Sequence, residues 1–136
     1  MADVSITAAS VLATAGTNFL RRLAALAITA GQPIAKDANG ALILADANGS
    51  ALAKIVEGIA CNGGGVGQPI NYVKEDPTFT PGFTVTEGTS YYASATAGGI
   101  CPAGDLAAGH AVTLIGVGLA TNKLNLKLVP GGTVPA

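Results

Sequence analysis

The feature that most constrains this chain is that its C-terminal two-thirds reads as one small β unit written twice. Gly40, Gly58 and Ala60 are answered by Gly98, Gly116 and Gly118, at a constant offset of 58 residues. The first copy runs Gly31-Gln32-Pro33-Ile34, Ala41-Leu42-Ile43-Leu44, Ile55 to Ala60, and Gly67-Gln68-Pro69-Ile70-Asn71-Tyr72-Val73. The second runs Gly88-Thr89-Ser90-Tyr91-Tyr92, Gly99-Ile100, Val112 to Gly118, and Leu124-Asn125-Leu126-Lys127-Leu128. A duplicated set of short strands is an architecture. It is not a catalytic constellation.

Composition sharpens that reading. The 136 residues suit one domain. Only 11% are charged, against about 25% in an ordinary soluble domain. Ala and Gly together fill 45 positions, so the apolar character comes largely from small side chains. A buried Leu or Phe contributes about 1.5–3 kcal/mol and an Ala far less. Such a chain is expected to complete its burial against other chains. The net charge of -1 and the single basic pair, Arg21-Arg22, give no basic stripe for nucleic acid. No apolar run approaches the ~18 residues of a membrane span, and no basic n-region marks a secretory signal.

Along the chain, Val4-Ser5-Ile6-Thr7 alternates like a strand, and residues 1–22 read as an extended N-terminal arm. A competing helix over Asn18 to Ala27 places Leu20, Leu23, Ala24 and Ala27 on one face. No stop signal precedes Gly31-Gln32-Pro33, so a strand through Leu26 to Thr29 fits better. Asp37-Ala38-Asn39-Gly40 and Asp46-Ala47-Asn48-Gly49 are tight-turn sequences around a strand at Ala41 to Ala45. Ser50 to Ala53 reads as a loop or a single helical turn. Strands follow at Lys54 to Ala60 and Val66 to Val73, then a charged turn at Lys74 to Pro77. Phe79, Phe83 and Val85 suit an edge strand interrupted at Pro81-Gly82. Strands at Ser90 to Ala93, Ala111 to Ala120 and Leu124 to Val129 precede a frayed end from Pro130. The expected fold is all-β. It is a small sandwich or barrel of about nine to eleven short strands, one domain over residues 23–136 with pseudo-repeats near 31–73 and 88–128.

The candidate chemical motifs have plainer readings. The Asp-x-Asn-Gly turns lack the third ligand and the Glu of a calcium loop. Asn62-Gly63-Gly64-Gly65-Val66-Gly67 leads into strand-like sequence, where a phosphate loop needs a helix. Cys61 and Cys101 fall short of a zinc set even with His110, the only histidine. A disulfide or two buried thiols both fit, and buried thiols are the simpler state. His110, with Asp105 nearby in a loop, lacks a nucleophile and reads as a surface or interface residue. Glu57 either faces solvent or pairs with Lys54. Tyr91 and Tyr92 point to opposite faces, so one can pack in the core while the other reaches an interface. Neither a catalytic set, a metal site nor a cofactor is expected.

The segments Ala2 to Ala9, Ile28-Thr29-Ala30-Gly31-Gln32-Pro33-Ile34, Gly67-Gln68-Pro69-Ile70, Gly88 to Ser94, Gly99-Ile100-Cys101-Pro102 and Val112 to Val117 together resemble a known family. The chain looks like a capsid decoration (cement) protein of tailed bacteriophages. The resemblance covers nearly the whole length, in strand-and-turn phrases. It implies a non-enzymatic virion protein, made in the host cytoplasm and placed on the outer surface of the head. It also implies a homotrimer that clamps neighbouring major capsid subunits, with no nucleic-acid or membrane partner. Candidate capsid or inter-subunit contacts are Val4, Ile6, Arg21, Arg22, Phe79, Phe83, Tyr91 and Tyr92. The sparse aromatic content departs from a large hydrophobic hot spot. The alternative is a tail or head-fibre module that binds a host surface, for which a long repeat or coiled-coil stalk is expected. A small ligand-binding barrel would need a pocket with convergent polar groups.

Overall fold

A computed structural model describes residues 3–14, 18–102 and 106–134. Among these the fold is all-β, with two curled antiparallel sheets. A 3-10 turn, Ala8–Ser10, precedes eleven strands. These are β1 (Val11–Leu12), β2 (Leu20–Leu23), β3 (Pro33–Lys36), β4 (Leu42–Leu44), β5 (Gly58–Ala60), β6 (Pro69–Val73), β7 (Glu75–Pro81), β8 (Ser90–Ala93), β9 (Ile100–Pro102), β10 (Ala111–Ala120) and β11 (Lys123–Thr133).

One sheet has the order β2-β6-β5-β3-β4 and the other β1-β7-β11-β10-β8-β9. Apart from β1, the second order repeats the first strand for strand. The registers correspond closely. Ile34 pairs with Leu44 and Gly58, as Tyr91 pairs with Pro102 and Gly116. Ala60 pairs with Tyr72 as Gly118 pairs with Leu124, and those residues pair in turn with Leu20 and Phe79. We refer to β2–β6 as the first unit and β7–β11 as the second.

Successive side chains on a strand face opposite ways, and β5 and β6 use both faces. Ala60, Ile70 and Tyr72 join Ala24, Ile28, Ile34 and Leu42 in one cluster, the interior of the first unit. Ile59 and Val73 point the other way. They join Phe79, Tyr91, Ile100, Ile115, Leu124 and Leu126 in a larger cluster under the six-stranded sheet. The two units therefore share one continuous apolar layer, and each fully buried Ile or Leu in it contributes about 1.5–3 kcal/mol.

Several local expectations are corrected by long-range pairing. The stretch Asn18 to Ala27 is not helical: it holds β2, because Leu20–Leu23 find partners along Pro69–Tyr72. Residue 22, taken as the end of the arm, falls inside this strand. The strand expected over Leu26 to Thr29 reduces to one bridge, Ile28 with Gly64. The strand expected from Lys54 begins only at Gly58, since residues 51–54 form a turn. Lys74 to Pro77 is no turn. Glu75 and Asp76 pair with Lys127 and Leu126 as the start of β7. Pro130 does not begin a frayed end either: β11 runs on to Thr133, which pairs with Ala111, and the Val134 N–H bonds the His110 carbonyl (2.9 Å).

Candidate interaction surface

The N-terminal segment is an extended strap laid across the second unit. The Val4 N–H donates to the Ile100 carbonyl (2.9 Å) and the Thr7 N–H to the Gly82 carbonyl (2.7 Å). Val11 and Leu12 pair with Pro81 and Thr80. Val4, Ile6, Val11 and Ala13 are partly buried against the larger cluster. The strap approaches the backbone closely enough to require glycine. A Cβ on Gly82 would meet the Thr7 carbonyl oxygen at 2.6 Å, and one on Gly31 would meet Ile6 Cγ2 at 2.5 Å. Both glycines have positive φ, +82° and +92°, which other residues rarely adopt.

Polar anchors hold the ends of the strap. The Ser94 hydroxyl donates to Asp3 Oδ1 (2.7 Å). Asp76 is 1% exposed. Its carboxylate accepts the Thr14 N–H (2.7 Å), the Thr14 hydroxyl (2.5 Å) and the Thr78 N–H (3.2 Å). A buried carboxylate is tolerated when its oxygens are hydrogen-bonded in this way. Sequence reading missed Asp76, because its partner Thr14 lies 62 residues away.

The predicted contact residues separate into two groups. Phe79, Phe83 and Tyr91 are core residues, 1%, 7% and 3% exposed, and offer no contact surface on this chain. Phe83 and Tyr91 meet edge to face with ring centroids 5.0 Å apart, and the Tyr91 hydroxyl accepts the Thr86 N–H (2.9 Å). Phe79 and Tyr91 stand on β7 and β8, inside the six-stranded sheet, and Phe83 follows just after β7. Tyr92 is half-buried on the opposite face of β8. Val4 and Ile6 are half-buried beneath their own strap. Arg21 and Arg22 are exposed, in a strand whose four residues are all exposed.

Around those arginines lies an apolar surface. Phe19, Leu20 and Leu23 are 50%, 43% and 56% exposed. Val66, 74% exposed, sits in a turn whose Gly67 N–H bonds the Ala24 carbonyl (2.8 Å). Arg21 Nε donates to Asn71 Oδ1 (2.9 Å), and an Arg22 guanidinium nitrogen donates to the Gly40 carbonyl (3.2 Å). A groove of about 320 Å³ runs between Arg21-Arg22-Leu23 and Asn39-Gly40-Ala41.

The remaining polar motifs serve the fold. Asp37 Oδ1 accepts the N–H groups of Asn39 and Ala41, and Asp46 Oδ1 that of Asn48, as turn-forming Asp residues do. In the glycine-rich loop the Gly65 N–H donates to Gln68 Oε1 (2.6 Å), and the chain continues into β6. His110 Nδ1 accepts the Ala107 N–H (3.1 Å); Asp105 lies outside the described residues. Glu57 pairs with Lys36 (3.0 Å) and Lys74 (2.9 Å), not with Lys54. Burial pushes its carboxyl upward, but the hydrogen bonds and charges of Lys74 and Lys36 outweigh this and leave it below the ordinary value of 4.5. No disulfide joins Cys61 to Cys101. Burial, with the Asp76 charge adding, pushes the Cys61 thiol up to about 11, so it is a poor nucleophile at neutral pH. Among the described residues no group of three or more His, Cys, Asp or Glu is placed to hold a metal ion.

No protein-family model matches this chain, and no curated protein matches it.

Proposed function

We propose that this chain is a capsid decoration protein of a tailed bacteriophage. It binds the outside of the assembled head, as a homotrimer, and clamps neighbouring major capsid subunits. The observation that carries this reading is the apolar, basic surface at Phe19–Leu23 and Val66, on a chain only 11% charged. Several large apolar side chains left exposed about one short strand on a small protein point to an interaction site. The family resemblance supplies the partner. The architecture is compatible with the role, because two β units share one apolar layer and the strap closes the second of them.

The mechanism is linkage. A protein that binds the assembled shell better than its free subunits stabilises the shell by mass action. Three copies joined in one trimer gain avidity from contacts that are individually weak. Packaged DNA presses outward, and the clamp opposes separation of the subunits beneath it. In this role the protein has no catalytic step.

Quantitative mass spectrometry of purified particles of the encoding phage tests this directly. A copy number near that of the major capsid protein is expected. A few copies per particle would shift the protein to the tail or a vertex, and complete absence would end the virion reading. Heads lacking the protein should rupture at lower temperature and under milder osmotic shock. Unchanged rupture would remove the clamp.

A further inference from the structure

The two units differ in how the outer edge of their first strand is covered. Register correspondence places Leu20 of β2 where Phe79 stands in β7, because each pairs with the equivalent residue of the next strand, Tyr72 or Leu124. Arg21 and Arg22 then stand where Thr80 and Pro81 stand. Thr80 and Pro81 are the residues that β1 covers, through Leu12 and Val11. In the first unit β2 ends its sheet, and among the described residues no strand pairs with its outer side. Beyond Leu23 the seam closes, where the Ala25 N–H bonds the Leu42 carbonyl (2.8 Å). What no strand fills, among the described residues, is the groove beside Arg21-Arg22-Leu23, which only the Arg22 side chain spans, to the Gly40 carbonyl (3.2 Å).

We propose that this open edge is an acceptor for an extended acidic segment of another protein, seated as Val11-Leu12 is seated on the second unit. An antiparallel strand alternately turns its backbone groups to either side, so an edge strand presents unpaired N–H and C=O groups. Those groups give affinity, and flanking side chains give the choice of partner. Here the flanking side chains are two arginines between Phe19, Leu20 and Leu23, all exposed. A second copy of the same edge is disfavoured. Antiparallel β2–β2 pairing would set arginine against arginine, and like charges on facing strands are destabilising. Arg21 and Arg22 face opposite ways. A segment of alternating acidic and apolar residues therefore sets its carboxylates on one arginine's face and its apolar side chains on the other, beside exposed Leu20 or Leu23. The inference does not depend on whether the partner is a capsid subunit.

The test uses the full chain and a capped peptide of about six alternating valine and glutamate residues. Valine–glutamine and valine–lysine peptides serve as controls. The glutamate peptide should slow hydrogen exchange across Leu20–Leu23 and bind about tenfold more tightly than the glutamine peptide, with an advantage that shrinks as salt rises. The double variant Arg21→Glu, Arg22→Glu alters only exposed side chains and should prefer the lysine peptide. Equal binding of all three peptides would overturn the proposal, as would protection confined to β4 or β9. A peptide-free dimer, seen by sedimentation and abolished by the double variant, would also overturn it in favour of a second copy.

Discussion

The two units share a strand order and differ in how they close. In the first, the chain after β2 returns to β4, and the Ala25 N–H reaches the Leu42 carbonyl directly. In the second, Ile100 occupies the position of Leu42, and its carbonyl takes the Val4 N–H from the strap instead. One unit is self-sufficient and the other borrows a segment from the far end of the chain. The same topology thus leaves one strand edge covered and its counterpart open. The covered edge carries Thr80 and Pro81, and the open one carries Arg21 and Arg22. Proline and charge are both devices that limit unwanted edge pairing, but only charge can also attract a chosen partner.

Removing residues 1–14 should break this comparison most sharply. It takes away four partly buried apolar side chains, the pairing of β1 and the Thr14 bonds to Asp76. The expected loss is about 3–5 kcal/mol. Hydrogen exchange should rise in β7 and β9 while β3 and β4 stay protected. If all four strands lose protection together, the units do not close independently.

A smaller effect is expected from Gly82→Ala. Positive φ alone costs a non-glycine residue about 1–2 kcal/mol, and the new Cβ would also meet the Thr7 carbonyl oxygen at 2.6 Å. Gly88 has a similar φ of +79° with nothing within 4 Å of such a Cβ. Gly88→Ala should therefore show the conformational cost without the steric one. Denaturant midpoints of the two variants isolate the cost of displacing the strap. Equal midpoints would mean that the strap yields without resistance.

Asp76→Asn should cost about 1–2 kcal/mol, because two charge-assisted bonds to Thr14 weaken in a buried site. In the strapless chain the same substitution should cost less, since Thr14 is gone. A double-mutant cycle in chemical denaturation measures this coupling. Additive costs would show that Asp76 does not act through the strap.

The smallest effect concerns the first unit and its junction with the second, where Glu57 links Lys36 of β3 with Lys74 between β6 and β7. Its carboxyl titrates below the ordinary 4.5 in the folded protein. The pair therefore stabilises the fold fully above the unfolded pKa and is lost as pH falls through the folded one. Glu57→Gln should cost about 0.5–1 kcal/mol at neutral pH, because both lysines are about half exposed and the pairs are screened. Thermal melts between pH 7 and pH 3 should show that deficit shrinking as the solution turns acid. A deficit that stays constant with pH would assign it to packing instead.

Part of the strand pattern in both units was legible from local chemistry. The Asp37 and Asp46 turns form where Asn-Gly signals them, because Asp side chains cap their own turns. The segments Ser90–Ala93 and Ala111–Ala120 are strands with the bounds their apolar patterns suggest. The adjacent tyrosines also divide as alternation requires, Tyr91 inward and Tyr92 half out. The interaction surface was less legible. Phe79 and Phe83 were candidate contacts on a segment read as an edge strand. The edge is capped by β1, and both rings belong to the core.

The amino-acid sequence by itself determined an all-β chain of short strands, the duplicated spacing, and a surface too poor in charge for an ordinary solvated domain. These follow from side-chain alternation, turn chemistry and composition, which act within a few residues. Only the tertiary structure decided which edge is covered and which is open, why Asp76 is buried, and how the strap closes the second unit. Each of those depends on partners brought together from distant parts of the chain, as Thr14 is to Asp76 across 62 residues. Local periodicity says that a strand has an edge. The energy of the whole fold selects what lies against it.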